Sequence, residues 1–170
     1  MHIDYDNYEY KCVTQDILSN REFKKIDSYK HHGITRLDHC RRVSFYSYKL
    51  CKRLGLDYVS AARGGLLHDF FMNGYREKGR TELLLNHPNI ALCNSEKHFE
   101  LNEVEKDIIK SHMFPVNINV IPKYKESYIV TLVDKIACIY ERYIKCKFKV
   151  QFGIGKFIVY LFVFMTCWYC

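Results

Sequence analysis

The sequence predicts an all-helical single domain. Three observations carry that expectation. The 170 residues include only three prolines and eight glycines, which leaves little room for long loops. Apolar residues recur at spacings of three and four, the period of helices with one buried face. Residues that start and stop helices bound those stretches. A chain of this length can bury a sizeable core. With 48% hydrophobic and 26% charged residues, the composition excludes a disordered chain and a coiled coil.

The first helix is expected over Tyr8–Leu18, followed by a basic, polar connection from Asn20 to Gly33. His31-His32-Gly33 reads as a loop whose histidines could approach a phosphate. Thr35 opens the next helix, with Asp38 three positions on, a variant of the capping box. Leu37, Cys40, Ser44, Ser47, Cys51 and Leu54 trace one of its faces, and His39, Val43, Tyr46 and Leu50 an adjacent one. Gly55 ends it. Asp57 can cap a helix running to about Met72, with Val59, Ala62, Leu66 and Phe70 as its inner stripe. Residues 73–80 form a turn-rich basic loop. His87 precedes Pro88 and is expected at a break, because the residue before proline is biased away from helix. A short helix follows from about Asn89 to His98, and Asn102 with Glu105 caps another that ends at Ser111-His112. Pro122 starts a long helix to about Lys147, apolar nearly all round in its middle and therefore buried.

The last stretch differs. From Phe157 onward there is no charge, but the apolar run is shorter than the roughly 20 residues needed to span a bilayer. The expected division is a domain over 1–150 and a hydrophobic tail over 151–170. That tail is expected either to pack as a terminal element or to touch a membrane or a protein partner. The start, Met1-His2-Ile3-Asp4-Tyr5-Asp6, is polar and acidic and does not look like a secretory signal. The eight cysteines do not have the spacing of a disulfide framework, so reduced thiols and a cytoplasmic location are expected. Only Cys167 and Cys170 have Cys-x-x-Cys spacing, without a second half-site. The net charge of +7 suits an anionic substrate, although fourteen tyrosines among many lysines also fit an AT-rich coding bias. Nucleic-acid binding would rest on charge alone and is not expected.

The chemistry gathers around His68-Asp69, at the end of the run Gly64-Gly65-Leu66-Leu67. The glycines let another backbone come close. A buried carboxylate needs a charge partner, and a metal ion satisfies both residues of the pair. Asp134 poses the same question, as the one acid in Ile129–Ile139. Lys135 is its neighbour, but adjacent helix positions point about 100° apart. The remaining candidates are His39, His87 and His112, with His98 as an alternative to His87. They lie on separate predicted elements, which is how a metal site is built in a helix bundle.

This order, H…HD…H…H…D, resembles the HD-domain superfamily of metal-dependent phosphohydrolases over about residues 30–147. Thr35-Arg36-Leu37-Asp38-His39-Cys40-Arg41-Arg42-Val43 is similar to the family's first-histidine helix, Gly65-Leu66-Leu67-His68-Asp69 to its central motif, and Val133-Asp134-Lys135-Ile136 to its terminal-aspartate motif. The resemblance implies a helical bundle around a metal site. It implies four ligands, His39, His68, Asp69 and Asp134, for one divalent ion. His87 and His112 fit the two further positions of members that hold two ions, with Asp69 between them. Imidazole and carboxylate ligands suit Mn, Fe, Co, Ni or Zn without choosing among them.

The implied activity is hydrolysis of a phosphate ester, most readily that of a nucleotide, by a metal-bound hydroxide. Asp69 and Lys135 are the expected catalytic residues. Arg36, Arg42, Arg76 and Lys78 are expected to hold the anionic part of the substrate. One departure stands out. Some single-metal nucleotidases of the family carry an acid three residues after the HD aspartate, and here that position is Met72. Two other classes remain: a di-iron oxygenase of the same fold, and a non-catalytic regulatory module holding a structural metal.

Overall fold

The computed structural model describes residues 7–31, 34–72 and 80–168. Helix α1 (Tyr8–Ser19) is followed by a single turn, α2 (Arg21–Lys24), and a 3-10 turn over Lys25–Ser28. Two-residue strands β1 (Lys30–His31) and β2 (Ile34–Thr35) pair antiparallel, Lys30 opposite Thr35 and His31 opposite Ile34. Then come α3 (Arg36–Arg53), α4 (Tyr58–Leu67), α5 (Arg80–His98), α6 (Glu103–Ser111) and α7 (Lys125–Trp168).

Caps set several of these boundaries. The Thr35 side chain accepts from the Asp38 amide at 3.1 Å, and Asp57 from that of Ser60 at 2.9 Å. Asn102 and Glu105 form a reciprocal capping box on α6. Gly55 takes a φ of 67°, the left-handed conformation that closes α3.

Four expectations need correction. The connection after Asn20 is not a plain loop. Asn20 accepts from the amides of Glu22 and Phe23, and Phe23 and Ile26 are fully buried. Helix α4 stops at Leu67 rather than near Met72. His68 Nδ1 donates to the Gly65 carbonyl at 2.9 Å, the acceptor that another helical turn would offer to the amide of residue 69. There is no break at His87, since α5 runs through Pro88. Pro88 is buried in the same stretch as His87 and Ala91, and packing outweighs the local cost of the missing amide. Finally, α7 begins at Lys125 and is helical to Trp168, well beyond Lys147. Among the described residues, no helix is long and apolar enough to cross a membrane.

Three apolar clusters hold the helices together, and two of them join α4 to α6. One contains Ile17, Phe23, Ile26, Cys40, Leu66, Phe70, Ala91 and Ile109. The other contains Val43, Ala61, Ile108, Val130, Val133 and Ala137. Helix α4 feeds both and lies against α3 at Gly65, where an added Cβ would meet the Ser44 Cα at 2.9 Å. That approach is stitched by Ser44 Oγ, which donates to the Ala62 carbonyl at 2.6 Å. The start of α7 is fixed by Asp107, which accepts from the Lys123 amide and the Ser127 hydroxyl at 2.9 and 2.7 Å. Glu126 accepts from the Asp57 amide at 3.0 Å. These contacts bring the middle of α7 against the first turns of α3 and the end of α4.

Candidate metal centre

At that meeting point lie two groups of three buried side chains. The first is His39 from α3, His68 at the end of α4 and Asp134 from α7. His39 Nε2 is 3.1 Å from Asp134 Oδ1, and His68 Nε2 is 3.7 Å from the same oxygen. The second is Asp69, His87 from α5 and His112 at the end of α6. Asp69 Oδ1 is 3.3 Å from His87 Nε2 and 3.7 Å from His112 Nε2, and the two imidazole Nε2 atoms are 2.8 Å apart. Within each group the ligand atoms lie within 4.8 Å of one another. The groups are neighbours, with the His68 and His112 rings 4.9 Å apart between centroids.

The backbone decides how these rings face. His68 Nδ1 donates to the Gly65 carbonyl and His112 Nδ1 to that of Ile109, at 2.9 and 2.8 Å. Each bond fixes the proton on Nδ1 and leaves the Nε2 lone pair toward the cluster. Behind His39 stands Glu141, one turn beyond Cys138 on α7. It accepts from His39 Nδ1 at 3.0 Å and from Arg42 at 2.5 Å. Lys135 Nζ donates to Asp134 Oδ2 at 2.8 Å and to the His112 carbonyl at 2.9 Å, bridging the two groups.

The electrostatics follow from burial and pairing. Burial alone would depress His39, but the bonds to Asp134 and Glu141 outweigh it and lift it to about 9. Burial opposes the charge on Asp134, yet the His39 bond, then His68 and Lys135, hold its carboxyl well below the usual range. Burial lowers His68 and, helped by His87 and His68, pushes His112 far down. Two imidazoles are thus held neutral beside two buried carboxylates.

This arrangement fits a divalent metal ion. His68 Nε2 is buried and, among the described residues, makes no hydrogen bond. A buried lone pair without a partner costs roughly 1–3 kcal/mol. His87 and His112 bring their Nε2 atoms within 2.8 Å of each other, and the His112 nitrogen is fixed as an acceptor. A cation in each group would engage the His68 nitrogen and both carboxylates and replace the His87–His112 hydrogen bond, and imidazole with carboxylate is a donor set that metal ions take.

Other expected site residues are placed differently. Arg36 is buried, its guanidinium donating to the Phe71 carbonyl at 2.5 Å and stacking 3.8 Å from the Phe71 ring centroid. It reaches the cluster indirectly, because the Phe71 ring packs 5.1 Å from His87. Arg42 is bound to Glu141, so it supports His39 rather than pointing at the ion site. Lys135 corrects the geometric objection made from its sequence position: its flexible stem carries the ammonium around the helix to Asp134. His98 packs near Phe70, at 5.9 Å, and lies outside both groups. Met72 packs on the apolar core. His31 lies in β1, while His32, Arg76 and Lys78 fall outside the described residues.

Glu141 was not foreseen. Its signal was present: Asp134, Cys138 and Glu141 recur at four and three residues, one face of α7. Cys138 Sγ sits 3.5 Å from Asp134 Oδ1.

The family model for the HD domain matches residues 36–139, more than half of the chain and the whole of this cluster. The chain belongs to the HD-domain family. That is the superfamily of metal-dependent phosphohydrolases, most of whose members cleave phosphate esters and whose domains bind divalent metals. No curated protein and no solved structure matches the chain. The HD dipeptide itself divides between the two groups, His68 facing Asp134 and Asp69 facing His87 and His112.

Proposed function

We propose that this HD-domain protein hydrolyses a phosphate ester, that of a nucleotide, with one or two divalent ions (Mn, Fe, Co, Ni or Zn) held by the buried cluster. The observation that carries the reading is the pair of buried His/Asp triads set side by side. His39, His68, Asp69 and Asp134 would hold the first ion, with His87 and His112 on a second and Asp69 serving both. A bound divalent ion supplies Lewis acidity, polarising water and neutralising phosphoryl charge.

The chain's own groups prepare that chemistry. The Gly65 and Ile109 carbonyls hold His68 and His112 in the tautomer whose Nε2 carries a lone pair. Glu141 accepts from His39 Nδ1 and is itself anchored by Arg42, so a bound metal would displace the proton on His39 Nε2 rather than the one on Nδ1. His39, then His68 and Lys135, keep Asp134 ionised, and the partly exposed Lys135 ammonium would be a cation for a phosphoryl oxygen. The buried Phe71 ring, packed 5.1 Å from His87, gives the cluster an apolar side. Arg76 and Lys78, in the stretch between α4 and α5, would hold the rest of the ester. The nucleotide assignment rests on the family and on the net charge of +7. A cytoplasmic location and a membrane or protein contact through residues 157–170 belong to the same reading.

The test is a screen of phosphomonoesters, nucleoside mono- and polyphosphates and cyclic dinucleotides with each of the five metals. Phosphate release and chromatography are the readouts. Turnover of at least one ester, abolished by chelation and restored by metal, is expected. Failure with every metal, together with O₂ consumption by the iron-loaded protein, would replace the reading with the oxygenase of the same fold.

A further inference from the structure

We propose that the groove between α3 and α7 is a second small-molecule site, fitted to a flat-ringed phosphate of the mononucleotide class. The cavity there measures about 530 Å³. Small-molecule sites span about 300–1,000 Å³, so a mononucleotide fits. None of the six side chains of the His/Asp cluster lines it.

Its chemistry comes from one face of each helix. Helix α3 contributes Arg42, Tyr46, Lys49 and Arg53, spaced at four, three and four residues and therefore in one row. Helix α7 contributes Val133, Ala137 and Tyr140 opposite them. The two tyrosines give aromatic walls over an apolar floor, and the Arg42 guanidinium lies 5.5 Å from the Tyr140 ring centroid. A planar base suits that slot, which an ion alone would leave unfilled. Lys49 and Arg53 stand one turn apart on α3, both exposed and both lining the cavity. No Asp or Glu lines the cavity, and among the described residues neither cation has an ion-pair partner. Neighbouring cations with no acid between them repel, and a phosphate relieves that repulsion. At the inner end Arg42 is shared with Glu141, so a ligand here sits two hydrogen bonds from His39. The site stands on its own observations and does not depend on the hydrolase reading.

Photolabelling locates it. The full-length, metal-loaded chain is irradiated with 8-azidoadenosine 5′-monophosphate, and the modified peptides are mapped by mass spectrometry. Label at Tyr46, Tyr140 or their neighbours, displaced by AMP more readily than by inorganic phosphate or adenosine, is the expected result. Lys49→Gln with Arg53→Gln changes two exposed side chains and leaves the fold intact. It should weaken AMP protection about tenfold while leaving metal content unchanged, since two exposed charge contacts are worth roughly that much. Label confined to peptides holding His68, His87 or His112 would overturn the proposal, as would AMP protection that the double variant does not alter. Displacement by decanoate as readily as by AMP would overturn the flat-ring assignment.

Discussion

Replacing Glu141 with Gln isolates the charge that stands behind His39. The carboxylate is buried, with its two oxygens 3.2 and 3.0 Å from His39 Nδ1 and one of them 2.5 Å from Arg42. Glutamine keeps the size and offers one acceptor oxygen, but two neighbours need it. Its amide nitrogen must then face a donor, either the imidazole N–H or the guanidinium. One charge-assisted bond is lost, worth about 1.5–3 kcal/mol. Partners of this kind, bonded to a metal-ligating histidine, typically contribute 10–100-fold to metal affinity. Glu141→Gln should therefore weaken Mn or Zn binding by about that factor in a chelator-competition titration. ¹⁵N NMR of the imidazoles should show the His39 ring losing its fixed Nδ1–H form. Glu141→Asp, one methylene shorter, should recover part of the affinity. Metal affinity within twofold of wild type, with the His39 tautomer unchanged, would refute the assignment of Glu141 as the group that orients His39.

Other outcomes follow from the same geometry. Gly65→Ala places a Cβ 2.9 Å from the Ser44 backbone and strains the Ser44–Ala62 bond. Overpacking should outweigh the gain in helix propensity and cost about 2 kcal/mol in urea denaturation, whereas an unchanged midpoint would mean that α3 and α4 do not approach so closely. Chelator-treated protein should be most stable near pH 6.5. His39 is raised to about 9 in the folded state, so its contribution of about 3 kcal/mol is complete below pH 6.5 and lost as pH climbs to 9. His68 and His112 are lowered, so they destabilise as pH falls below 6.5, where the unfolded chain takes up protons. A flat urea midpoint between pH 6.5 and 9 would contradict the His39 environment. Asp69→Asn removes a charge shared by both ion positions and should lower kcat rather than only raise KM, and wild-type turnover would exclude the proposed role.

The helix framework was legible because its signals are local. Thr35, Asp57 and the Asn102–Glu105 box cap the helices where their residue types predict. The cluster was legible because a His or Asp in an apolar setting needs an explanation, and Asp134 inside a buried helix has few. What escaped depends on contacts distant in sequence. Pro88 is tolerated inside α5 because tertiary packing fixes the backbone around it, which no local rule registers. Phe23 and Ile26 anchor a turn that its polar neighbours disguise as loop. Arg36 and Arg42 are expected to hold the anionic part of the substrate, and the contacts they make are distant in sequence: Arg36 meets a carbonyl 35 residues away and Arg42 a carboxylate 99 residues away. Lys135 was discounted by counting degrees around a helix, a measure that ignores the reach of four methylenes.

Metal stoichiometry tests the central claim most directly. The full chain, purified without chelator and then equilibrated with Mn or Zn, is analysed for bound metal alongside two variants. Wild type should carry more than one equivalent. His87→Ala with His112→Ala should lower the count by one, and His68→Ala should empty the position shared with His39 and Asp134. Less than a tenth of an equivalent in the loaded wild type, or a count indifferent to all of these replacements, would mean that the buried His/Asp cluster is not a metal centre.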